Sequence, residues 1–573
     1  MSVHFFWRRL DRDSIGPLPI IFSIPLIIGV SCGVATAEFP WGVSAGDVTE
    51  EQAVLWSRSD QAAAIRVQVA ADSEFATVVA EIDAVARAEE DLTVKVDVGG
   101  LTSGTRYFYR FVDLDHAGVV SETGRFRTAP GANESVDFRL AVSGDSDFAW
   151  EPFHVLNDAA EMEPDLFLWF GDTVYTDVPS GGLGVARTLG EYRAKYRQIR
   201  TDPNLRRLLG GTAVWVGWDD HEVANDYSGG DLESGLSRER IERGYRAFFE
   251  HMPIRPTEEA GDPFRTYRSF RYGALAEFFL VDGRQYKDRT AQEACDDAFD
   301  PYNIAGFGSS EDEACVVALS EPRTYLGAEQ LAWLKDGLGS SGAVHKLVLI
   351  DQPMSFIGVL PYDRWDGFDA ERRDILEFID ANRIENVWML STDVHANAFN
   401  PDLGSYFRRH RPDYQLSNEV VVRELVVGPI ATSTFRMASL EFAAGVLGPF
   451  AESPLAQLLL AVSFSNVTDQ LVRLNDLAFL DPDRFAYAIL DISAEHGVTV
   501  WVRGYPSSKQ AAEAPSIETV FDSAAVGPSW PCGIFPVLLM VFMVGPMSVV
   551  LRFRKFAGAG AKIARPGFPI PPN

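Results

Sequence analysis

The residues best suited to chemistry lie between positions 213 and 228, AVWVGWDDHEVANDYS. Ala213-Val214-Trp215-Val216 reads as a buried strand, and it breaks directly into Trp218-Asp219-Asp220-His221-Glu222. Carboxylates held this close raise one another's pKa unless a cation sits among them. Donors of the same types follow other apolar runs: Asp145 after 138–142, Asp172 and Tyr175 after 166–170, Asp393 and His395 after 386–390. Carboxylate and imidazole are the ligands that hard and borderline divalent or trivalent ions take. Any one of these aspartates alone is unspecific, because aspartate after glycine is a common turn residue. Asp145, Asp172, Asp220, Asp393 and His395 together supply ligands for two metals about 4 Å apart, an arrangement that activates water and clamps both oxygens of an in-line displacement at phosphorus.

His221 adjoins a candidate ligand but is itself suited to stay free. A protonated imidazole there can protonate a leaving alkoxide or offset charge on the phosphoryl oxygens; the plainer alternative is a satisfied structural histidine. Arg284, in Asp282-Gly283-Arg284-Gln285-Tyr286, either grips a phosphate oxygen through its planar fork or forms a buried ion pair with one of the many aspartates. Tyr175 either ligates a ferric ion as phenolate or covers the site. His4, His116, His154, His251, His345, His410 and His496 lie outside these loops and read as surface or satisfied residues. The acidic run at 309–313 reads as a solvated loop face.

The elements that position these residues follow a strand, loop, helix rhythm from residue 137 onward. Strands are expected at 138–142, 166–170, 213–218, 276–281, 346–350 and 386–390, each ending in polar residues, which is where open α/β sheets bind ligands. Amphipathic helices are expected at 326–338 and 371–382, later strands at 419–427 and 485–503, and an apolar helical region of unassigned role at 439–480. Residues 39–130 instead alternate apolar and polar in short runs at 53–57, 65–69, 92–96 and 107–111, which suggests a small immunoglobulin- or fibronectin-like β-sandwich without a catalytic cluster. Asp47 and Asp60 read there as turn residues. The expected order is the sandwich at 39–130, a catalytic α/β domain at 135–505 and a polar linker at 506–530.

A formal net charge of −30, with no basic stripe, argues against a nucleic-acid scaffold as partner. It leaves phosphate substrates open, since bound cations invert the local field. Hydrophobic content of 46% excludes global disorder. Cys295 and Cys315 flank an acidic insert and read as a disulfide closing a surface loop, with two free thiols as the alternative. Residues 1–37 read as a secretory signal peptide: Arg8, Arg9 and Arg12 precede an apolar run at 15–30, and Ala35-Thr36-Ala37 supplies the cleavage residues. A twin-arginine signal and a lipidated Cys32 rank below simple cleavage. Residues 533–551 carry no charge and are followed by Arg552, Arg554 and Lys555, which suggests a transmembrane helix with a cytoplasmic tail at 552–573. The expectation is an exported protein on the outer membrane face or in the periplasm, anchored by that C-terminal helix.

In this order the motifs resemble the alkaline phosphatase D family of metallophosphatases, over residues 39 to about 504. Phe39-Pro40-Trp41-Gly42-Val43-Ser44-Ala45-Gly46-Asp47 looks like the opening of the family's N-terminal domain. Gly171-Asp172-Thr173-Val174-Tyr175 is similar to its Gly-Asp-x-x-Tyr element, which makes Asp172 the bridging ligand and Tyr175 an iron ligand. Asp219-Asp220-His221-Glu222 is similar to its Asp-Asp-His-Glu element, with Asp220 as ligand and His221 as catalytic imidazole. Asp393-Val394-His395 is similar to the closing Gly-Asp-x-His and supplies two ligands. The resemblance implies a four-layer α/β/β/α sandwich behind the β-sandwich, and hydrolysis of phosphate mono- or diesters. It also implies two metal ions, an iron and calcium pair, with zinc or manganese as alternatives. This chain has Asp145 near where many members carry cysteine, which hardens the donor set, and Thr392 where the family has glycine, which strains the turn if it needs positive φ. The expected activity is extracytoplasmic phosphoester hydrolysis. The alternatives are a phospholipase D-like diesterase acting on membrane lipids and a cell-surface binding protein whose metal site only supports the fold.

Overall fold

The computed structural model describes residues 38–522, apart from 230–235, 257–261, 292–294, 296–312, 359–361, 449–452, 509–514 and 516. The apolar runs form strands where their length and flanks demand it. Phe138–Ser143 (β8), Leu166–Phe170 (β9) and Ala213–Gly217 (β10) lie side by side and parallel. All five residues of β9 are buried, as expected for a parallel strand covered on both faces. These three occupy the middle of a nine-stranded sheet completed by β18 (Arg484–Ser493), β19 (Gly497–Pro506) and β20 (Ile517–Asp522) at one side.

At the other side the sheet continues into the N-terminal region through β1 (Val43–Gly46), β2 (Ala53–Arg58) and β5 (Thr93–Val98). β1 runs parallel to β10, with Ala45 opposite Ala213 and Gly46 opposite Val214. β3 (Ala63–Ala70), β4 (Val78–Ala86), β6 (Arg106–Asp113) and β7 (Gly124–Arg127) form a separate four-stranded sheet. Its Ile65, Val67, Tyr109 and Phe111 share a core with Val43, Leu55 and Val94. Two sheets therefore face each other in this region, but one of them is an extension of the nine-stranded sheet.

A seven-stranded sheet holds β11 (Arg268–Tyr272), β12 (Ala276–Leu280), β13 (His345–Leu349), β14 (Val387–Ser391), β16 (Val422–Val426), β15 (Asn397–Asn400) and β17 (Phe479–Asp481), in that spatial order. It lies face to face with the nine-stranded sheet. Trp215 of β10 stacks on Phe270 of β11 at 4.2 Å between ring centroids, and Phe138 of β8 meets Tyr272 of β11 at 4.2 Å. Because side chains alternate along a strand, Val214 and Val216 point the other way, into a core shared with the helices Leu189–Ile199, Pro203–Gly211 and Arg238–His251. Phe279, Val348 and Met389 likewise meet Ala328–Ser340 and Asp369–Ala381 on the far face of the second sheet. The result is a mixed α/β fold in which both sheets bring parallel strand ends to a common edge.

The predicted apolar helical region is present as Phe435–Leu447 and Pro454–Asn475. Cys295 and Cys315 are disulfide-bonded, as predicted. The anchored, outward-facing placement is corrected: no helix among the described residues is long and apolar enough to cross a membrane. The helix at Pro454–Asn475 has the length but carries Gln457, Asn466, Asp469, Gln470 and Arg473. The predicted signal peptide at 1–37 and membrane segment at 533–551 lie outside the described residues.

Asp47 does more than turn the chain. Its carboxylate is buried directly after β1, accepts from Nε and Nη2 of Arg268 on β11 at 3.0 and 2.9 Å, and accepts from the backbone N–H of Arg255. One side chain thus ties the two large sheets together. Asp47→Ala leaves Arg268 uncompensated, and the expected loss is about 3 kcal/mol of stability. Thermal denaturation followed by circular dichroism should show a midpoint several degrees lower; an unchanged midpoint contradicts this role.

Candidate metal centre

The strand ends converge because their loops are stitched to one another through backbone groups. Asp145 N–H donates to the Gly171 carbonyl at 3.1 Å, and Ser146 N–H donates to the Asp172 carbonyl at 2.9 Å. Thr176 N–H donates to the His221 carbonyl at 3.0 Å, joining the β9 and β10 loops. Glu222 strengthens that joint: its carboxylate accepts from the N–H and hydroxyl of Thr173 and from Asp219 N–H. Thr392 N–H donates to the Asp351 carbonyl at 3.1 Å, which fixes the β14 loop to the β13 loop. Gly171 has φ +74°, and a Cβ there would stand 2.0 Å from Thr392 Oγ1, so only glycine fits beside the threonine.

These contacts bring Asp145, Asp172, Asp220 and His395 together, while Asp393, also expected as a ligand, is in none of the groups of donor atoms among the described residues close enough to share an ion. One oxygen or nitrogen from each of Asp145, Asp172 and His395 lies within 4.8 Å of the others, and the same holds for Asp172, Asp220 and His221. Asp172 belongs to both groups. Asp393 N–H donates to Asp145 Oδ1 at 3.3 Å, so the β8 and β14 ends meet directly. The Tyr175 hydroxyl and His395 Nε2 are 2.9 Å apart, and the Tyr175 ring lies 4.2 Å from the His221 ring. Asp145, Asp172, Asp393 and His395 all have positive φ, between 36° and 64°. Non-glycine residues held there store strain, which is concentrated where the side chains must point inward. Thr392 is not among the positive-φ residues, so the expected threonine strain is corrected: the left-handed turn is carried by Asp393 and His395.

The electrostatics call for cations. Burial pushes the Asp145 and Asp172 carboxyls well above the usual range, with further upward push from Asp393 on the first and from Asp220 on the second. Asp145 Oδ2 and Asp220 Oδ1 are buried without a hydrogen-bond partner. A cation between these oxygens reverses the balance and lets the carboxylates ionise. Burial pulls His395 down to about 4, which keeps its imidazole in the neutral, ligating form. His221 behaves oppositely: burial opposes its charge, but Asp172, Asp220 and Asp177 together hold it well above the ordinary histidine value. Its Nδ1 is 2.7 Å from Asp177 Oδ1, which orients the ring with Nε2 3.9 Å from Asp172 Oδ2. Donor types, unsatisfied oxygens and surplus negative charge all fit metal ions.

Arg284 requires a correction. It does not face the cleft as a phosphate grip; its side chain is 0% exposed and spent on carboxylates. Nε donates to Asp219 Oδ1 and Nη1 to Asp363 Oδ2 at 2.8 Å, while Asp351, Asp220 and Asp393 lie 3.5, 3.7 and 3.9 Å from its nitrogens. The cleft above has a volume of about 270 Å³ and is lined by Asp172, Asp220, His221, Asp393 and His395. Asp226, Asp363 and Arg364 also line it, and sequence reasoning missed all three. Asp226 lies inside the 213–228 stretch and Asp177 two positions after Tyr175, so proximity to the motifs was an available signal. Asp363 and Arg364 sit in the long segment after β13, where no spacing marks them.

Two outcomes follow from this geometry. Asp172→Asn should lower the metal retained after dialysis further than Asp145→Asn does, because Asp172 serves both groups; elemental analysis ranks the two variants, and equal retention contradicts the sharing. Arg284→Met should lower stability by about 3–5 kcal/mol, since it leaves buried carboxylates without their cation; calorimetry of the purified chain checks it, and a neutral effect contradicts it.

Comparison with known proteins agrees with the geometry. A family model described as PhoD-like phosphatase matches residues 140–496, and a model of the PhoD-like phosphatase N-terminal domain matches 31–130. Alkaline phosphatase D of Bacillus subtilis (strain 168) is 32% identical over 394 residues, covering 63% of this chain; the chain spans 64% of that relative's length. A solved structure of PhoD is 25% identical, with a TM-score of 0.67 over 85% of this chain and 91% of that one. A purple acid phosphatase from yellow lupin (Lupinus luteus) seeds is 11% identical, with a TM-score of 0.49 over 86% of this chain and 77% of that one. With more than half its length matched by the first model and its strand ends carrying the candidate ligands just described, the chain belongs to the PhoD-like phosphatase family.

Proposed function

We propose that this protein is a metal-dependent phosphoesterase that hydrolyses phosphate mono- or diesters with two metal ions held on either side of Asp172. The observation that carries the reading is the membership of Asp172 in both ligand groups. Tyr175 and His395 complete the side nearer Asp145, and Asp220 serves the other. The N- and O-donors of the first side suit iron; with His221 reserved for proton transfer, Asp172 and Asp220 leave oxygen donors on the second side, which suit calcium, and zinc or manganese are the alternatives. We also read the packing as the four-layer α/β/β/α sandwich that the resemblance implies, with the catalytic part at 135–505 behind the sandwich at 39–130. The name of the Bacillus subtilis relative, alkaline phosphatase D, supports the same activity here.

Bound cations would supply the Lewis-acid charge against which water attacks phosphorus. The chain's own residues do the rest. Asp172, Asp220 and Asp393 fix the charge and shape of the cleft, Asp145 is buried next to them, and their cross-linked loops leave little to reorganise. His221 lies at the cleft, with Asp177 holding its Nδ1. Its Nε2 is therefore the atom that donates a proton to the departing ester oxygen. The buried Tyr175 ring packs against the His221 ring and limits its rotation.

The purified chain, loaded with iron and calcium or with zinc or manganese, should turn over p-nitrophenyl phosphate or its bis-ester, and lose that turnover on chelation. No turnover of either ester with any of these metals contradicts the proposal. His221→Ala should reduce kcat by roughly 100- to 10,000-fold while retaining metal; steady-state kinetics beside elemental analysis separates this from loss of the site.

A further inference from the structure

The cleft is lined by the carboxylates of Asp172, Asp220, Asp226, Asp363 and Asp393, and Arg364 is the one lysine or arginine among the described residues that line it. Arg284 and Lys287 lie beneath the floor, each with a side chain 0% exposed and in ion-pair contact with Asp363. Arg364 is placed differently. Its side chain is 15% exposed, and its Nε is 3.7 Å from Asp393 Oδ2. Its backbone precedes the short helical turn Trp365–Gly367, which is fastened from inside. There Asp366 accepts from the N–H groups of Ile357 and Gly358 at 3.0 and 2.8 Å and from Arg372 Nη1 at 2.8 Å. A rigid base thus presents a guanidinium to the space beside Asp393.

On the phosphoesterase reading above, we propose that Arg364 binds the non-bridging oxygens of the substrate phosphoryl group and makes this a monoesterase in preference to a diesterase. A planar guanidinium pairs two oxygens of one phosphate with two parallel N–H donors. A phosphate monoester, with a second pKa of about 6, is a dianion with three non-bridging oxygens above neutrality. A diester is a monoanion with two, and a carbon substituent occupies the place of the third. Where cations at the cleft floor take oxygens of either ester, the oxygen and charge left over for Arg364 exist only in the monoester. Arg364 lines the cleft, and Asp393 beside the guanidinium limits the directions in which it can turn.

The test compares the metal-loaded full chain with Arg364→Ala and Arg364→Lys on p-nitrophenyl phosphate and on bis(p-nitrophenyl) phosphate. Arg364→Ala should lower kcat/KM for the monoester by about 100-fold and for the bis-ester by less than about 5-fold, the difference expected of one charge-assisted pair. Arg364→Lys should recover part of the monoester loss, because charge returns without the fork. Inhibition by inorganic phosphate should weaken about tenfold or more in the alanine variant. Bound metal and thermal midpoint should match the wild type in both variants. Equal loss on the two esters, no loss on the monoester, or loss of metal in both variants overturns the assignment. Wild-type protein that turns over neither ester overturns the phosphoesterase reading together with this one.

Discussion

Buried carboxylates in excess of buried cations are the constraint around which this molecule is built. Asp145, Asp172, Asp219, Asp220, Asp351, Asp363 and Asp393 crowd one edge of the two large sheets, each 16% exposed or less. Arg284 and Lys287 offset part of that charge from below, through Asp219, Asp351 and Asp363. Asp172, Asp220, Asp363 and Asp393 line the cleft, and Asp145 and Asp220 keep oxygens without partners. Such an arrangement is expensive unless something positive enters from outside. Interior and exterior cations would therefore have different tasks: Arg284 makes the carboxylate cluster foldable, and metal ions entering from outside would complete it.

The fold supplies the rigidity this requires. Parallel strands of both sheets end at the same edge, and backbone bonds between loops lock those ends in pairs. Four of the candidate ligands sit at positive φ, a strain tolerated because Trp215, Phe138 and their partners form a dense aromatic core between the two sheets. The N-terminal region belongs to the same framework. β1 lies against β10, the strand that leads to Asp220 and His221, and Asp47 reaches across to Arg268 on the second sheet. The brace and the strand that leads to Asp220 are neighbours in one sheet.

Much of this was legible in the residues themselves. Apolar runs such as 166–170 and 387–390 mark parallel strands, because both faces are buried and no polar alternation interrupts them. The polar residues at their ends marked candidate ligands, and Asp145, Asp172, Asp220 and His395 do come close to one another. The side-chain directions were not legible: nothing in Asp282-Gly283-Arg284 says whether the guanidinium turns to solvent or downward, since that depends on Asp219 and Asp363, which are distant in sequence. Asp363 and Arg364 escaped notice for a related reason, as they lie in an irregular loop where periodicity carries no information. The threonine at 392 misled because the left-handed backbone falls one residue later, at Asp393. The sharing of strands between the N-terminal region and the nine-stranded sheet depends on a pairing of β1 with β10 that is more than a hundred residues non-local.

The claim that decides the rest is that Asp172 stands between two cations. Crystallographic anomalous scattering from the chain grown with iron and calcium, or with manganese, measures it directly. The account predicts two peaks about 4 Å apart with one Asp172 oxygen or both in contact with each, one peak beside Asp145 and His395 and the other beside Asp220. A single peak, or ions bound where Asp172 touches neither, contradicts it.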